Sequence, residues 1–381
     1  MVQNKFVFSE DFLHYHFKDG HPFNQNRMYI AYQLLRAIGA LTDEQIVAPR
    51  IATDEELLLV HDARYIDFIK RASDSPVTQE EINKYGVGTE DTPIFDNMHE
   101  ATALIVGGTL TAVEEVMEGR AKYSANLSGG LHHSFRSKAS GFCIYNDCSV
   151  AIEHLVQNYG KKVLYVDTDA HHGDGVQWSF YDNPNVITLS IHETGRYLFP
   201  GTGEVSERGT GQGYGSSFNI PLDAFTEDDS FAQVYTEAME RICDHFKPDV
   251  ILTQNGADAH TYDPLTHLHC SIDLYETIPK VARRLADTYC EGRWIATGGG
   301  GYDWRAVTRA WAMIWLVMND IDIPEGPLPP DVVKEIQKYY DEPLDLHWRD
   351  PVDIFAPIER RSVIDVNNYN ALQRALSVVC P

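Results

Sequence analysis

The segment Val163 to Val176 reads V-L-Y-V-D-T-D-A-H-H-G-D-G-V, an apolar run that changes within one residue to carboxylates and imidazoles. Asp169 and His171 have the types and spacing of two ligands for one divalent metal. Asp258, beyond a second apolar run at 249–253, is a natural third. Two carboxylates and one imidazole leave coordination positions open for water and substrate, as catalytic rather than structural metal sites do. The set suits zinc, and its oxygen content also admits Fe(II), Co(II) or Mn(II). A surface turn with solvated charges would explain D-x-D alone, but not D-x-D-x-H-H-G-D-G directly after an apolar strand.

Two further stretches carry chemistry. His132 and His133 follow Gly129 and Gly130, and an adjacent imidazole pair in a glycine-rich loop is suited to proton exchange with water. Such imidazoles need orienting carboxylates, and Asp167 and Asp174 are available. Gly298 to Gly301 precede Tyr302. No Lys-Ser/Thr follows and no G-x-G-x-x-G spacing is present, so nucleotide binding is not indicated. Glycines there let the backbone, Gly300 included, approach a substrate closely. A phenol beside a metal can stabilise an oxyanion.

These groups must be positioned by a recurring design of β-like run, polar loop and helix. Runs at 122–127, 163–166, 186–191, 249–253 and 294–297 lead into S-G-G-L-H-H, D-T-D-A-H-H-G-D-G, a loop with the Gly-rich stretch 199–203, Q-N-G-A-D and G-G-G-G-Y. Residues 231–246 and 274–289 have helical spacing. Alternating strands and helices predict an open, doubly wound, mostly parallel α/β sheet with helices on both faces. Ligands bind beyond the carboxyl ends of such strands. Alternation places Asp167, Asp169 and His171 on one side of an extended backbone, with Gly173 and Gly175 bracketing Asp174 in a turn. Residues 5–9 predict a short strand. Helices are predicted from Arg27, from the capping box Thr53-x-x-Glu56, over 99–119 with Gly107 and Gly108 inside, and over 332–340. Residues 74–93 have no period and predict a loop. The tail with Trp348 and Phe355 is expected to pack back. No internal boundary is visible, and residues 1–381 are expected to form one domain.

A net charge of −25 argues against a general nucleic-acid binder and favours cationic partners through long-range steering. Hydrophobic residues at 43% exclude the disordered class. Cys143, Cys148, Cys243, Cys270, Cys290 and Cys380 include no C-x-x-C pair, so free thiols in a reducing compartment are expected. There is no signal-peptide pattern and no apolar run near the ~18 residues of a membrane span. A cytoplasmic location is the expectation. His14, His16 and His21, in a polar loop, are expected to be solvated or at a rim.

Seven ordered motifs resemble the histone deacetylase superfamily, and more closely its bacterial acetoin-utilization (AcuC-type) members. They are G-H-P-F-N-Q-N-R (20–27), S-G-G-L-H-H (128–133), A-S-G-F-C-I-Y-N-D (139–147), Y-V-D-T-D-A-H-H-G-D-G-V (165–176), F-P-G-T-G (199–203), N-G-A-D (255–258) and G-G-G-G-Y (298–302). The resemblance implies the arginase/deacetylase type of sheet and metal-dependent hydrolysis of N6-acetyl-lysine on proteins. Asp169, His171 and Asp258 would bind the metal, Zn2+ or Fe2+. Asp167 would orient His132, and Asp174 would orient His133, the main base and acid. Tyr302 would bond the carbonyl oxygen. Gly141, Phe142, Phe199 and Leu265 would line the acetyl-lysine tunnel, with Gly300 also at the substrate. A structural K+ would use Asp167, Asp169, His171, Ser190 and Ile191, and Arg27 matches an arginine near an interior acetate channel.

Leu131 departs from a frequent family tryptophan, and Ser216 departs from an aromatic at a second cation site. Glu90 or Asp91 is the nearest match to a rim carboxylate, and His260, His267 and His269 match no family ligand. The AcuC-type resemblance implies metabolic proteins, an acetyl-CoA-forming enzyme among them, rather than histones as the substrates. Rival readings are a deacetylase of acetylpolyamines, a binuclear ureohydrolase and a non-catalytic acetyl-lysine sensor.

Overall fold

The computed structural model describes residues 3–18, 20–351, 356 and 358–377; Phe355 and Cys380 lie outside them. Eight strands form one sheet: β1 (Lys5–Val7), β2 (Ile46–Val47), β3 (Tyr123–Asn126), β4 (Val163–Asp167), β5 (Val186–Glu193), β6 (Ser217–Leu222), β7 (Val250–Gln254) and β8 (Trp294–Thr297). Their order is β2-β1-β3-β8-β7-β4-β5-β6. Every described pairing is parallel, so the expected "mostly parallel" sheet has no antiparallel strand among the described residues. β3, β4, β5, β7 and β8 are buried along their whole length, as strands covered by helices on both faces must be.

The four central neighbours β3, β8, β7 and β4 end in register. Asn126 pairs with Thr297, Thr297 with Gln254, and Gln254 with Asp167; the row continues to Ser190 and Asn219. Each strand therefore spends its apolar residues inside the sheet and turns polar at the same level. With strands about 4.8 Å apart, four successive loops are delivered to one small region.

Helices follow the predicted periodicity at Asn26–Ala37, Met98–Met117, Asp228–Phe246, Leu274–Tyr289 and Pro330–Gln337. The Thr53 capping box is present but starts only the single turn Asp54–Leu57. Gly107 lets the long helix reach the backbone at 50–52, because a Cβ there would fall 1.8 Å from the Arg50 carbonyl oxygen. Residues 74–93 are not all loop: Gln79–Tyr85 is a helix with its own Thr78/Glu81 capping box. It buries only Tyr85, so it carries almost no apolar stripe. β4 stops at Asp167 and a helix begins at Asp174. Asp169 and His171 thus converge through a loop rather than strand alternation, and Gly173–Gly175 enters a helix rather than a turn.

The tail packs back through Trp348, which is 1% exposed, and through Asp350. That carboxylate meets Arg309 at 2.8 Å and His260 Nε2 at 2.9 Å, and accepts the Ile272 N–H at 2.8 Å. Burial opposes its ionisation, but His260 and Arg309 hold its pKa well below the carboxylate range. A depressed carboxylate stabilises the fold above its unfolded pKa of about 3.9, and this contribution is lost as pH falls. Asp350→Ala should cost about 3 kcal/mol at pH 7, since it strands buried charges. Urea unfolding should show the gap to the parent protein narrowing as the pH is lowered into the acid range.

Candidate active site

The loop after β4 begins at Asp167, whose carboxylate has three partners. Its Oδ2 accepts His132 Nδ1 and the Tyr165 hydroxyl, each at 2.7 Å, and its Oδ1 accepts the Asp169 N–H at 3.1 Å. The second imidazole has its own carboxylate, with His133 Nδ1 2.7 Å from Asp174 Oδ1. Both pairs are buried, and the two rings lie 4.0 Å apart. Two imidazoles so close do not both hold a second proton. Burial alone would lower His132, but the Asp167 and Asp169 carboxylates outweigh it and raise its pKa to about 9. His133 is pushed down to about 4 by burial and by the charge of His132. At neutral pH, His133 is the neutral member.

Asp169, His171 and Asp258 offer ligand atoms within 4.8 Å of one another, all from buried residues. His171 Nδ1 stands 3.2 Å from Asp169 Oδ1 and 3.0 Å from Asp258 Oδ2. Two buried carboxylates at one point must share a proton or a cation. Burial would lower His171, yet Asp169 and Asp258 hold its pKa well above the usual value. Burial opposes the ionisation of Asp169, but His132 and then His171 keep it well below the usual range. Asp258 is raised to about 7 by burial and by Asp169. A divalent ion would replace the His171 proton, so the donor set fits the metal that it was expected to hold.

The remaining predicted residues sit around this centre. Gly141 and Phe142 have φ of +51° and +69°, and Ser140 and Cys143 exchange backbone hydrogen bonds of 3.1 and 2.9 Å across them. This tight turn presents the Phe142 ring 5.8 Å from the Tyr302 ring. Phe199 lies on the other side, its ring 5.0 Å from His133, and is 44% exposed. Leu265 is half-buried, its N–H donated to Asp263. The Gly300 N–H donates to Asp169 Oδ2 at 2.7 Å. Arg27 is buried, its guanidinium 5.3 Å from the Tyr302 ring centre and bonded to the Gly301 carbonyl.

Of the residues assigned to a monovalent cation, Asp167 and Ser190 are register partners on β4 and β5, with Ile191 next in the chain. Ser190 Oγ lies 2.8 Å from His192 Nδ1. Glu90 and Asp91 are exposed, while the Asp91 carbonyl meets His21 Nε2 at 3.2 Å. His14 and His16 are exposed, whereas His21 packs 4.8 Å from Phe142. His260, His267 and His269 face Asp350, Glu193 and Thr261.

Three buried residues that build this site were not singled out as site residues in the sequence. Asp147 accepts Gly130 and Leu131 N–H groups at 3.1 and 2.7 Å and the Thr109 hydroxyl at 2.6 Å, fixing the backbone before His132. Gln254 donates to Asp169 Oδ2 at 2.8 Å. Asp263 accepts the Tyr302 N–H at 2.7 Å. Gln254 had a legible signal, ending an apolar strand at the level of Asp167; Asp147 lay within a quoted motif without a function.

The parallel sheet thus brings two His–Asp pairs and a candidate metal-ligand cluster together at one edge. Residues 21–318 match the histone deacetylase domain, and the chain belongs to that family. It is similar to the acetoin utilization protein AcuC of Bacillus subtilis (strain 168), with 55% identity over 380 residues, covering 100% of this chain and 98% of the relative. AcuC of Staphylococcus xylosus is 43% identical over 373 residues, covering 98% and 97%. Among solved structures, a histone deacetylase homologue from Aquifex aeolicus superposes with a TM-score of 0.86 at 30% identity, covering 98% of this chain and 99% of that one. A homologue complexed with SAHA gives 0.87 at 31% identity, covering 97% and 100%. No helix among the described residues is long and apolar enough to cross a membrane.

Two outcomes follow from the geometry. Zinc uptake by metal-free protein should release about one to two protons per ion near pH 7, because the metal displaces the His171 proton and the proton that part of the Asp258 population carries. Calorimetry in buffers of different ionisation enthalpy measures that number, and affinity should rise with pH. In Gly141→Ala a Cβ would lie 2.4 Å from His133 Cδ2 at positive φ. Displacing the imidazole by even part of an ångström should lower kcat on the order of 100-fold, measured as acetate release with zinc content unchanged.

Proposed function

We propose that this chain hydrolyses N6-acetyl-lysine on proteins, using Zn2+ held by Asp169, His171 and Asp258, with Fe2+ able to serve there. The observation that carries the reading is the pair of buried His–Asp couples beside that ligand set, one imidazole neutral and the other charged. Bound at the cluster, the metal supplies Lewis acidity to the acetyl carbonyl and to the attacking water. His133, neutral and held by Asp174, takes the water's proton through Nε2. The same imidazolium then protonates the lysine nitrogen as the C–N bond breaks, releasing acetate. His132 stays protonated against Asp167 and contributes positive charge beside the developing oxyanion. The Tyr302 phenol donates to that oxyanion. Its pKa lies well above 10 through burial and the nearby Asp169, so it remains a donor at neutral pH.

Gly141, Phe142, Phe199 and Leu265 suit a narrow apolar channel for the lysine methylenes. The exposed faces of Phe199 and Tyr197, at 44% and 55%, suit contact with peptide beside the modified lysine. AcuC-like relatives support metabolic enzymes, such as an acetyl-CoA-forming enzyme, as the substrates. A structural K+ held by Asp167, Asp169, His171, Ser190 and Ile191 belongs to the same proposal, as does a cytoplasmic location. One observation favours a second reading: a net charge of −25 would steer acetylated polyamines to the same machinery.

Tyr302→Phe should lower kcat about 100-fold with KM nearly unchanged, the signature of a donor used in the transition state. Full kcat would remove Tyr302 from the chemistry. Acetate release from acetyl-lysine peptides should exceed that from acetylspermidine in kcat/KM; the reverse order would favour the polyamine reading.

A further inference from the structure

Asp263 lies between Leu265 of the proposed tunnel and the proposed oxyanion donor Tyr302, and has no part in the chemistry described so far. Its side chain is 7% exposed. Oδ1 accepts the Leu265 N–H at 2.9 Å, a local turn two residues on, while Oδ2 accepts the Tyr302 N–H at 2.7 Å from 39 residues away. The second bond is not needed by the local turn. It crosses the site from the loop after β7 to the loop after β8.

Tyr302 needs such a tether. It follows four glycines, and Gly299 and Gly301 have φ of +158° and +116°. A segment of this kind has little conformational preference of its own. Its position is set by outside partners: Asp169 takes the Gly300 N–H, Ala257 donates to the Gly300 carbonyl at 2.9 Å, and Arg27 donates to the Gly301 carbonyl. These hold the glycines. At Tyr302 itself, the Asp263 carboxylate receives the backbone N–H. Leu265 hangs from the other oxygen of the same group, so phenol and tunnel wall share one anchor.

We propose that Asp263 is the positioning residue of Tyr302, fixing the phenol over the ligand cluster and coupling it to the Leu265 wall. This rests on Tyr302 being the oxyanion donor. Asp263 touches neither substrate nor metal ligands; it acts through Tyr302 and Leu265.

A double-mutant cycle on zinc-replete protein tests it, joined to exchange of the Tyr302 amide hydrogen followed by NMR. Asp263→Ala should lower kcat about tenfold or more. In a Tyr302→Phe background the same change should leave kcat within about twofold, because the group that it positions is already lost. Exchange at the 302 amide should quicken while amides of β7 and β8 stay protected. Equal fold-losses in both backgrounds, or an unchanged 302 amide, would overturn the proposal. If Asp263→Ala fails to fold, Asp263→Leu is read the same way, since it keeps the side-chain volume and offers no acceptor to either N–H. Tyr302→Phe with full kcat would instead sink the oxyanion reading, and the exchange rate would still report whether Asp263 holds Tyr302.

Discussion

Burial of like charges at the carboxyl ends of one parallel sheet is the constraint on which this structure depends. Asp167, Asp169, Asp174 and Asp258 are each at most 3% exposed, and isolated buried carboxylates are too costly to persist ionised. Each is therefore committed to a partner: Asp167 to His132, Asp174 to His133, and Asp169 with Asp258 to His171 or to the metal that replaces its proton. The imidazoles are not additions to a finished fold. They complete the charge balance without which the loops could not be buried, so the requirement of folding and the requirement of proton transfer are met by the same contacts.

Close backbone approach is the second requirement, and it explains the glycines in the motifs. At Gly173 a Cβ would stand 2.1 Å from Asp167 Oδ2, and at Gly175 it would stand 2.5 Å from the carbonyls of His132 and Ser134. The loops after β3 and β4 are thus pressed together until each His–Asp pair is within hydrogen-bond reach. Buried polar groups below the surface of the site then hold that spacing. Asp147 grips the loop after β3, Gln254 braces Asp169, and Asp263 spans from the loop after β7 to the tyrosine after β8.

Much of this was legible in the sequence where one residue type has few alternatives. Six strands were legible, β1 as a short run at 5–9 and β3, β4, β5, β7 and β8 as β-like runs, and the ligand set as carboxylate and imidazole spacing after two of them. The pairing of Asp167 with His132 and Asp174 with His133 came only from family resemblance, and the distances agree with it. The edge strands were not apparent: β2 is two residues long, and β6 reads S-F-N-I-P-L, with polar residues and a proline at the sheet margin. The Asp147–Tyr159 and Arg361–Leu376 helices were missed, the first hidden among catalytic motifs and the second nearly without an amphipathic stripe. Gln254, Asp147 and Asp263 were missed for a shared reason. Their work is to bond backbone or ligand atoms in other loops, and residue type alone does not reveal a partner 16 to 85 positions away.

The ligand cluster is the centre of the account, and the position of the metal tests it most directly. Crystals of zinc-loaded protein, measured at wavelengths either side of the zinc absorption edge, would locate every bound ion. One ion is predicted, coordinated by Asp169, His171 and Asp258 at about 2.0–2.2 Å, with Tyr302 and both histidines facing it. An ion bound elsewhere, or a second tightly held ion beside the first as a binuclear hydrolase would have, would contradict the assignment.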